Sequence, residues 1–219
     1  MAKKRLGLLH TSATLVPIFE QLCKAKLPGV AVFNLVDDSL IKDVIAHGQL
    51  RPQTARRVVQ HVAAAEDAGA DYIMVTCSSI GAAVETAATL ASVPVLRVDQ
   101  PMADRAVTTA KRIGVIATLS TTLEPTADLI RRRAAAAGRQ IELTARLCAG
   151  AFDALMSGDP ATHDAMVAAA LKELATQVDV IALAQASMAR VVETLSENER
   201  RTPILASPPL AVDYLATVL

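Results

Sequence analysis

The chain has 219 residues, 22 Lys and Arg against 22 Asp and Glu, and so a formal net charge of zero. That length holds one large domain or two small ones with real cores, and the absence of a basic stripe with interleaved aromatics argues against a nucleic-acid partner. Hydrophobic residues make up 52% but aromatic residues only 2%, with no tryptophan. Alanine and valine must therefore fill the interior, which suits helices on a parallel sheet better than a β-sandwich.

The start Met1-Ala-Lys-Lys-Arg5 leads into only about five apolar residues, too few for the core of a signal sequence. No apolar run approaches the length needed to span a membrane, and a soluble cytoplasmic protein without a membrane partner is expected. Cys23, Cys77 and Cys148 are an odd number at wide spacing, which fits reduced thiols. Neither these nor His10, His47, His61 and His163 have metal-ligand spacing, so no metal is expected.

In chain order, strand-like apolar runs fall at Arg5–Leu9, Val30–Val36, Asp71–Val75 and Val93–Val98, with helical patterns at Leu15–Lys26, Gln53–Ala68 and Ser79–Ala91 between them. The second half repeats the alternation. Its strands are expected at Ile113–Ala117, Ile141–Leu147, Asp179–Leu183 and Pro203–Ala206, and its helices at Leu123–Ala137, Thr162–Gln177 and Met188–Glu199. Alternating strands and helices imply parallel sheets with right-handed crossovers.

The halves are one unit used twice. Gly7-Leu-Leu-His-Thr-Ser-Ala-Thr-Leu-Val-Pro17 corresponds to Gly114-Val-Ile-Ala-Thr-Leu-Ser-Thr-Thr-Leu-Glu-Pro125 with one residue inserted, and Asp71–Thr86 aligns on Asp179–Thr194 without a gap. Within the second pair, Asp71, Ile73, Ser79, Val84, Glu85 and Thr86 are each matched by an identical residue, where chance gives about one. The expected architecture is therefore α/β, with two pseudo-symmetric lobes, each a mostly parallel four-stranded sheet flanked by helices. The functional site is expected in the cleft between them. Residues 1–98 form the first lobe, residues 99–207 the second, and 208–219 a C-terminal helix returning to the first. Pseudo-symmetry would set Cys77 opposite Gln185, and His10 and Thr11 opposite Ala117 and Thr118.

The chain is organised around Asp71–Gly81, where an apolar run ends in Thr76-Cys77-Ser78-Ser79 and a helical pattern starts at once. Ser78 or Ser79 suits a helix N-cap, which puts Cys77 at a strand end beside free N–H groups. Strand ends of open α/β sheets are where small ligands bind, and a helix N-terminus lowers a thiol's pKa. The plainer reading is a small buried cysteine used for packing. Asp37 and Asp38 read as a solvated turn, Asp99-Gln100-Pro101 as a helix start, and Arg97 and Arg105 as surface charges.

These motifs resemble the aspartate/glutamate/hydantoin racemase superfamily over nearly the whole chain. Val75-Thr-Cys-Ser-Ser-Ile-Gly81 is similar to that family's first cysteine motif, Ile113–Thr122 to its Thr-rich carboxylate-binding turn, and Leu183-Ala-Gln-Ala-Ser-Met188 stands at its second cysteine motif. His10-Thr11-Ser12 stands where glutamate racemases carry an Asp-Ser pair. The resemblance implies two pseudo-symmetric lobes, no cofactor, and a small-molecule carboxylate substrate. It makes Cys77 a catalytic acid/base, with Thr11, Ser78, Ser79, Thr118, Thr121, Thr122, Ala186 and Ser187 around the substrate.

The chain departs from the family at Gln185, where the second cysteine is expected. A glutamine amide cannot exchange protons as a thiol does, but it can donate hydrogen bonds to an oxyanion or carboxylate. Two-base racemisation needs a second group. His10 is assigned that role, since its unperturbed pKa of about 6.5 lets it act either way. Loss of CO2 followed by protonation from Cys77, addition of Cys77 to an alkene or carbonyl, and plain ligand binding are the alternatives. Cys148 reads as structural. The Ala-rich, aromatic-poor surface leads us to expect a homo-oligomer.

Overall fold

Strands and helices alternate in two rounds along residues 3–219, the residues described by the computed structural model. The first round comprises β1 (Arg5–His10), α1 (Val16–Lys26), β2 (Ala31–Val36), α2 (Ser39–His47), α3 (Pro52–Asp67), β3 (Tyr72–Val75), α4 (Gly81–Ala88) and β4 (Val95–Arg97). The second comprises α5 (Gln100–Thr109), β5 (Arg112–Ala117), α6 (Ser120–Ala136), β6 (Glu142–Leu147), α7 (Ala151–Met156), α8 (Pro160–Ala175), β7 (Val180–Leu183), α9 (Ala189–Thr194), β8 (Ile204–Ala206) and α10 (Ser207–Val218).

The strands form two four-stranded sheets with orders β2-β1-β3-β4 and β6-β5-β7-β8, and every pairing is parallel. The α/β architecture of two helix-flanked parallel sheets is the one expected. One compact unit runs up to Gln100 and regains Pro208–Leu219; the other is Pro101–Ser207. Among the described residues no helix is long and apolar enough to cross a membrane, and no group of three or more His, Cys, Asp or Glu side chains is placed to hold a metal ion.

The strand runs were readable because both sheet faces are covered, so consecutive residues are apolar. In the first unit Leu9, Ile73 and Val75 pack with Leu40, Val44, Val58, Val62, Val84 and Ala87 of α2, α3 and α4. On the other face, Leu6, Leu8, Tyr72 and Met74 pack with Phe19 and Cys23 of α1 and with Ala211, Val212 and Leu215 of α10. The C-terminal helix thus closes the first sheet. In the second unit Ile116, Ile181 and Leu183 pack with Val167, Leu171 and Leu174 of α8 and Val191 of α9. Gly114 on β5 allows α8 to come this close, since a Cβ there would lie 2.8 Å from Leu174 Cδ2.

Four helical segments differ from the expected pattern. α2 and α7 were not anticipated, although Leu40 and Val44 are spaced to bury one helical face and Gly48 closes α2 in the left-handed region (φ 66°). The single helix expected over Met188–Glu199 is broken: Leu195 turns extended (ψ 140°) after α9, and Ser196 opens a new 3-10 turn through a capping box with Glu199. α6 starts at Ser120, three residues before the expected start, and so carries Pro125 inside it.

Candidate active site

At the carboxyl end of β3 the Thr76 N–H still donates to the Leu9 carbonyl (3.0 Å). Cys77 follows in extended backbone (φ −131°, ψ 118°), then a 3-10 turn over Ser78–Ile80 leads into α4. The strand therefore delivers Cys77 partly exposed at its tip. Around its sulfur stand the Thr11 hydroxyl, the Ser79 and Ile80 backbone N–H groups and the Ser79 hydroxyl, each favouring the thiolate. Burial pushes the thiol pKa up, these four donors pull it down, and burial prevails. The lowered pKa expected from a helix terminus is therefore not found. Nor does either serine cap the helix: Cys77 and Ile80 occupy the two N-cap positions, without side-chain cap bonds. Ser78 and Ser79 are both buried.

His10 at the end of β1 is fully buried. Its Nε2 lies 3.0 Å from Asn34 Oδ1, and its Nδ1 lies 2.9 Å from Thr76 Oγ1. The Asn34 amide nitrogen donates to Glu20 (3.2 Å), which turns Asn34 Oδ1 toward the ring and makes Nε2 the donor there. Nδ1 faces the Thr76 hydroxyl, which also reaches the Leu9 carbonyl at 3.2 Å. The ring also packs against Phe19, with centroids 5.6 Å apart. Burial lowers its pKa, against opposing effects of Asn34 and Glu20. Both nitrogens are engaged inside the first unit, so the ring offers no free nitrogen to a substrate. Its neighbour Thr11 is also buried and points its hydroxyl at Cys77.

The second unit repeats this geometry with different chemistry. Gln185 follows β7 in the same extended state (φ −130°, ψ 137°) and precedes a 3-10 turn over Ala186–Met188. Its side-chain oxygen accepts from the Thr118 N–H (2.5 Å) and the Thr118 hydroxyl (3.0 Å). The amide NH2 is thereby aimed away from Thr118. Thr122 is buried in the first turn of α6, and the buried Thr121 Oγ1 has no partner among the described residues. Ala186 and Ser187 are partly exposed.

Cys148 does not supply a second thiol beside Gln185. Its N–H bonds to the Ala117 carbonyl, as the Asp37 N–H bonds to that of His10. The side chain lies in the apolar core, where burial raises its pKa against a smaller lowering by Arg146.

Arg97, read as a surface charge, is not one, and Asp99 beside it is more than a helix start. Arg97 is 3% exposed and Asp99 fully buried. Asp37 is not a freely solvated turn residue: its carboxylate accepts from Ser39 and meets Arg57 and His61. Arg105 is exposed, as read. Asn34, Thr76 and Asp99 were missed because each is an ordinary polar residue in sequence. Only the alternation along β2, which brings Asn34 level with Leu8 in the β1 ladder, marked one of them as facing α1.

The family model described as Asp/Glu/Hydantoin racemase matches residues 6–215. Comparison with curated proteins gives no match. Among solved structures, glutamate racemase isoform RacE1 from Bacillus anthracis is similar over 100% of this chain and 82% of its own, with TM-score 0.72 and 19% identity. The Picrophilus torridus aspartate racemase is similar over 98% of this chain and 94% of its own (TM-score 0.72, 14% identity). The allantoin racemase from Klebsiella pneumoniae is similar over 98% and 87% (TM-score 0.65, 16% identity). At such identities the likeness is one of fold.

Proposed function

The chain belongs to the Asp/Glu/hydantoin racemase family, and from that premise we propose a cofactor-independent isomerase-type enzyme that moves a proton at the carbon next to a carboxylate or carbonyl of a small acid or amino-acid derivative. Cys77 is its acid/base. The observation that carries this reading is the set of four donors around the Cys77 sulfur. Hydrogen bonds to a thiolate favour the charged form, so the base can form when substrate arrives, while burial keeps the resting group a protonated acid.

Thr11 and Ser79 serve the sulfur, and the carboxylate is assigned to Thr121, whose hydroxyl has no partner among the described residues, together with Thr118, Thr122, Ser78, Ser187 and the backbone beside Ala186. The Gln185 amide, held by Thr118, donates to the negative oxygen that develops when the α-proton leaves. It cannot return a proton. His10 is then a positioning residue that fixes Thr76 beside Cys77, in place of the acid/base role read from its type.

The test is incubation of single enantiomers of aspartate, glutamate and allantoin in D2O. Solvent deuterium at the α-carbon, absent with Cys77→Ala, is expected. Exchange that persists in Cys77→Ala, or its absence with every such acid, overturns the assignment. A second reading is favoured by the one thiol and its raised pKa: protonation by Cys77 of a carbanion left by CO2 loss from a malonate-type acid. Release of CO2 from such an acid, without α-exchange of the amino acids, selects it.

A further inference from the structure

We propose that Arg97 is a positioning residue for Cys77, its guanidinium bracing the turn whose N–H groups face the sulfur. The inference rests on the reading of Cys77 as the acid/base. Arg97 closes β4 in register with Val75, two residues before Cys77. Its fork meets Asp99 in two bonds, Nε to Oδ1 at 3.0 Å and a terminal nitrogen to Oδ2 at 2.8 Å, while the other terminal nitrogen reaches Glu85 at 2.6 Å. Arg97 and Asp99 are buried, and the Glu85 side chain is 38% exposed. Glu85 belongs to α4, so the guanidinium ties the strand end to the helix that follows the turn.

The contact at Gly81 shows what this clamp bears on. A Cβ at Gly81 would lie well inside van der Waals contact distance of Arg97 Cζ and two of its nitrogens. The guanidinium therefore lies against the first residue of α4, directly after Ser79 and Ile80, whose N–H groups favour the Cys77 thiolate. A planar bidentate fork fixes direction as well as distance, which a lysine ammonium cannot do.

The internal repeat supplies a control. In the second unit β8 meets β7 with Ala206 in register with Leu183, the place Arg97 takes beside Val75, and Ala189 opens α9 where Gly81 opens α4. Glu193 is retained at the place of Glu85. The unit with Gln185 in place of a thiol thus lacks both the guanidinium and the glycine that makes room for it. The clamp accompanies the sulfur, whereas a device needed merely to fold this α/β unit would be expected in both.

Three charge-preserving variants test it: Gly81→Ala, Arg97→Lys and Glu85→Asp. Because none changes net charge, a shift in thiol reactivity reports geometry. The readout is the pH profile of Cys77 alkylation by iodoacetamide, followed by peptide mass spectrometry, with thermal unfolding measured alongside. Loosening the two N–H donors moves the profile up by about one pH unit in Gly81→Ala and Arg97→Lys, or about tenfold slower alkylation at fixed pH. Glu85→Asp, which retains the Asp99 fork, slows it about two- to threefold. A lowered unfolding temperature with an unmoved profile in any folded variant overturns the proposal and leaves Arg97 a packing residue. Alkylation is independent of turnover, so this result stands or falls separately from the deuterium-exchange test.

Discussion

Thr11 donates its hydroxyl hydrogen to the sulfur of Cys77 across the ends of two neighbouring strands. Thr118 does the same for the side-chain oxygen of Gln185. One strand-end threonine thus orients whatever follows the third strand of each unit, a thiol in one and an amide in the other. Thr11→Val keeps the shape of a buried side chain and removes one of the sulfur's donors. Hydrogen bonds to charged groups are worth about 1.5–3 kcal/mol, and three donors remain. The thiolate should therefore become harder to form, and alkylation of Cys77 near neutral pH about tenfold slower. Because the native thiol pKa is already raised, the rate should climb with pH through neutrality in both proteins, with the variant displaced to higher pH. Coincident profiles would show that Thr11 contributes nothing to the thiolate.

His10 makes stability depend on pH. Its folded pKa lies below the usual 6.5, chiefly through burial. Between the lowered folded value and about 6.5 the unfolded chain binds the proton more readily than the native one. Stability therefore rises with pH across that window, and is lost as pH falls below about 6.5. Urea midpoints at pH 8, 6.5 and 5 should fall toward acid in the native protein. His10→Gln, which has no titrating ring, should be about 1–2 kcal/mol less stable at pH 8 and flatter below 6.5. An equally steep slope in the variant would place the pH dependence elsewhere.

The strands of this fold were legible because its parallel sheets are covered on both faces: Leu6, Leu8 and Leu9 are all fully buried, on two different faces. Cys77 was legible for a related reason, since an apolar run that stops at hydroxyl residues can only be a strand tip. Its environment was not. The apolar wall that raises its pKa includes the first-unit core, assembled from α2, α3 and α4, and no local pattern contains it. His10 was readable as a strand-end residue, but its partners Asn34 and Thr76 lie on other strands. Arg97 reads as an ordinary surface charge and Asp99, two residues on, as part of a helix start. Only the tight contact at Gly81, from a different element, reveals why they are buried.

Asp37 offers the opposite pH dependence to His10. Burial alone would raise its pKa, but the Ser39 hydroxyl and N–H, His61 and Arg57 together bring it down to about 2. A depressed carboxylate contributes stability that is fully present above its unfolded pKa of about 3.9 and is lost as pH falls through about 2. Its side chain is 14% exposed while that of Arg57 is 43% exposed, so solvent screening reduces the pair's value, and about 1–2 kcal/mol at pH 7 is expected. Asp37→Asn keeps an acceptor for Ser39 but leaves Arg57 without its counter-charge. Urea unfolding at pH 7, 5, 4 and 3 should show a constant gap between the two proteins down to about pH 4, then a narrowing one, because the unfolded Asp37 takes up a proton while the native carboxylate keeps its charge. A gap that stays constant to pH 3 would mean that the lost stability comes from the altered hydrogen bonding, with the charge contributing little.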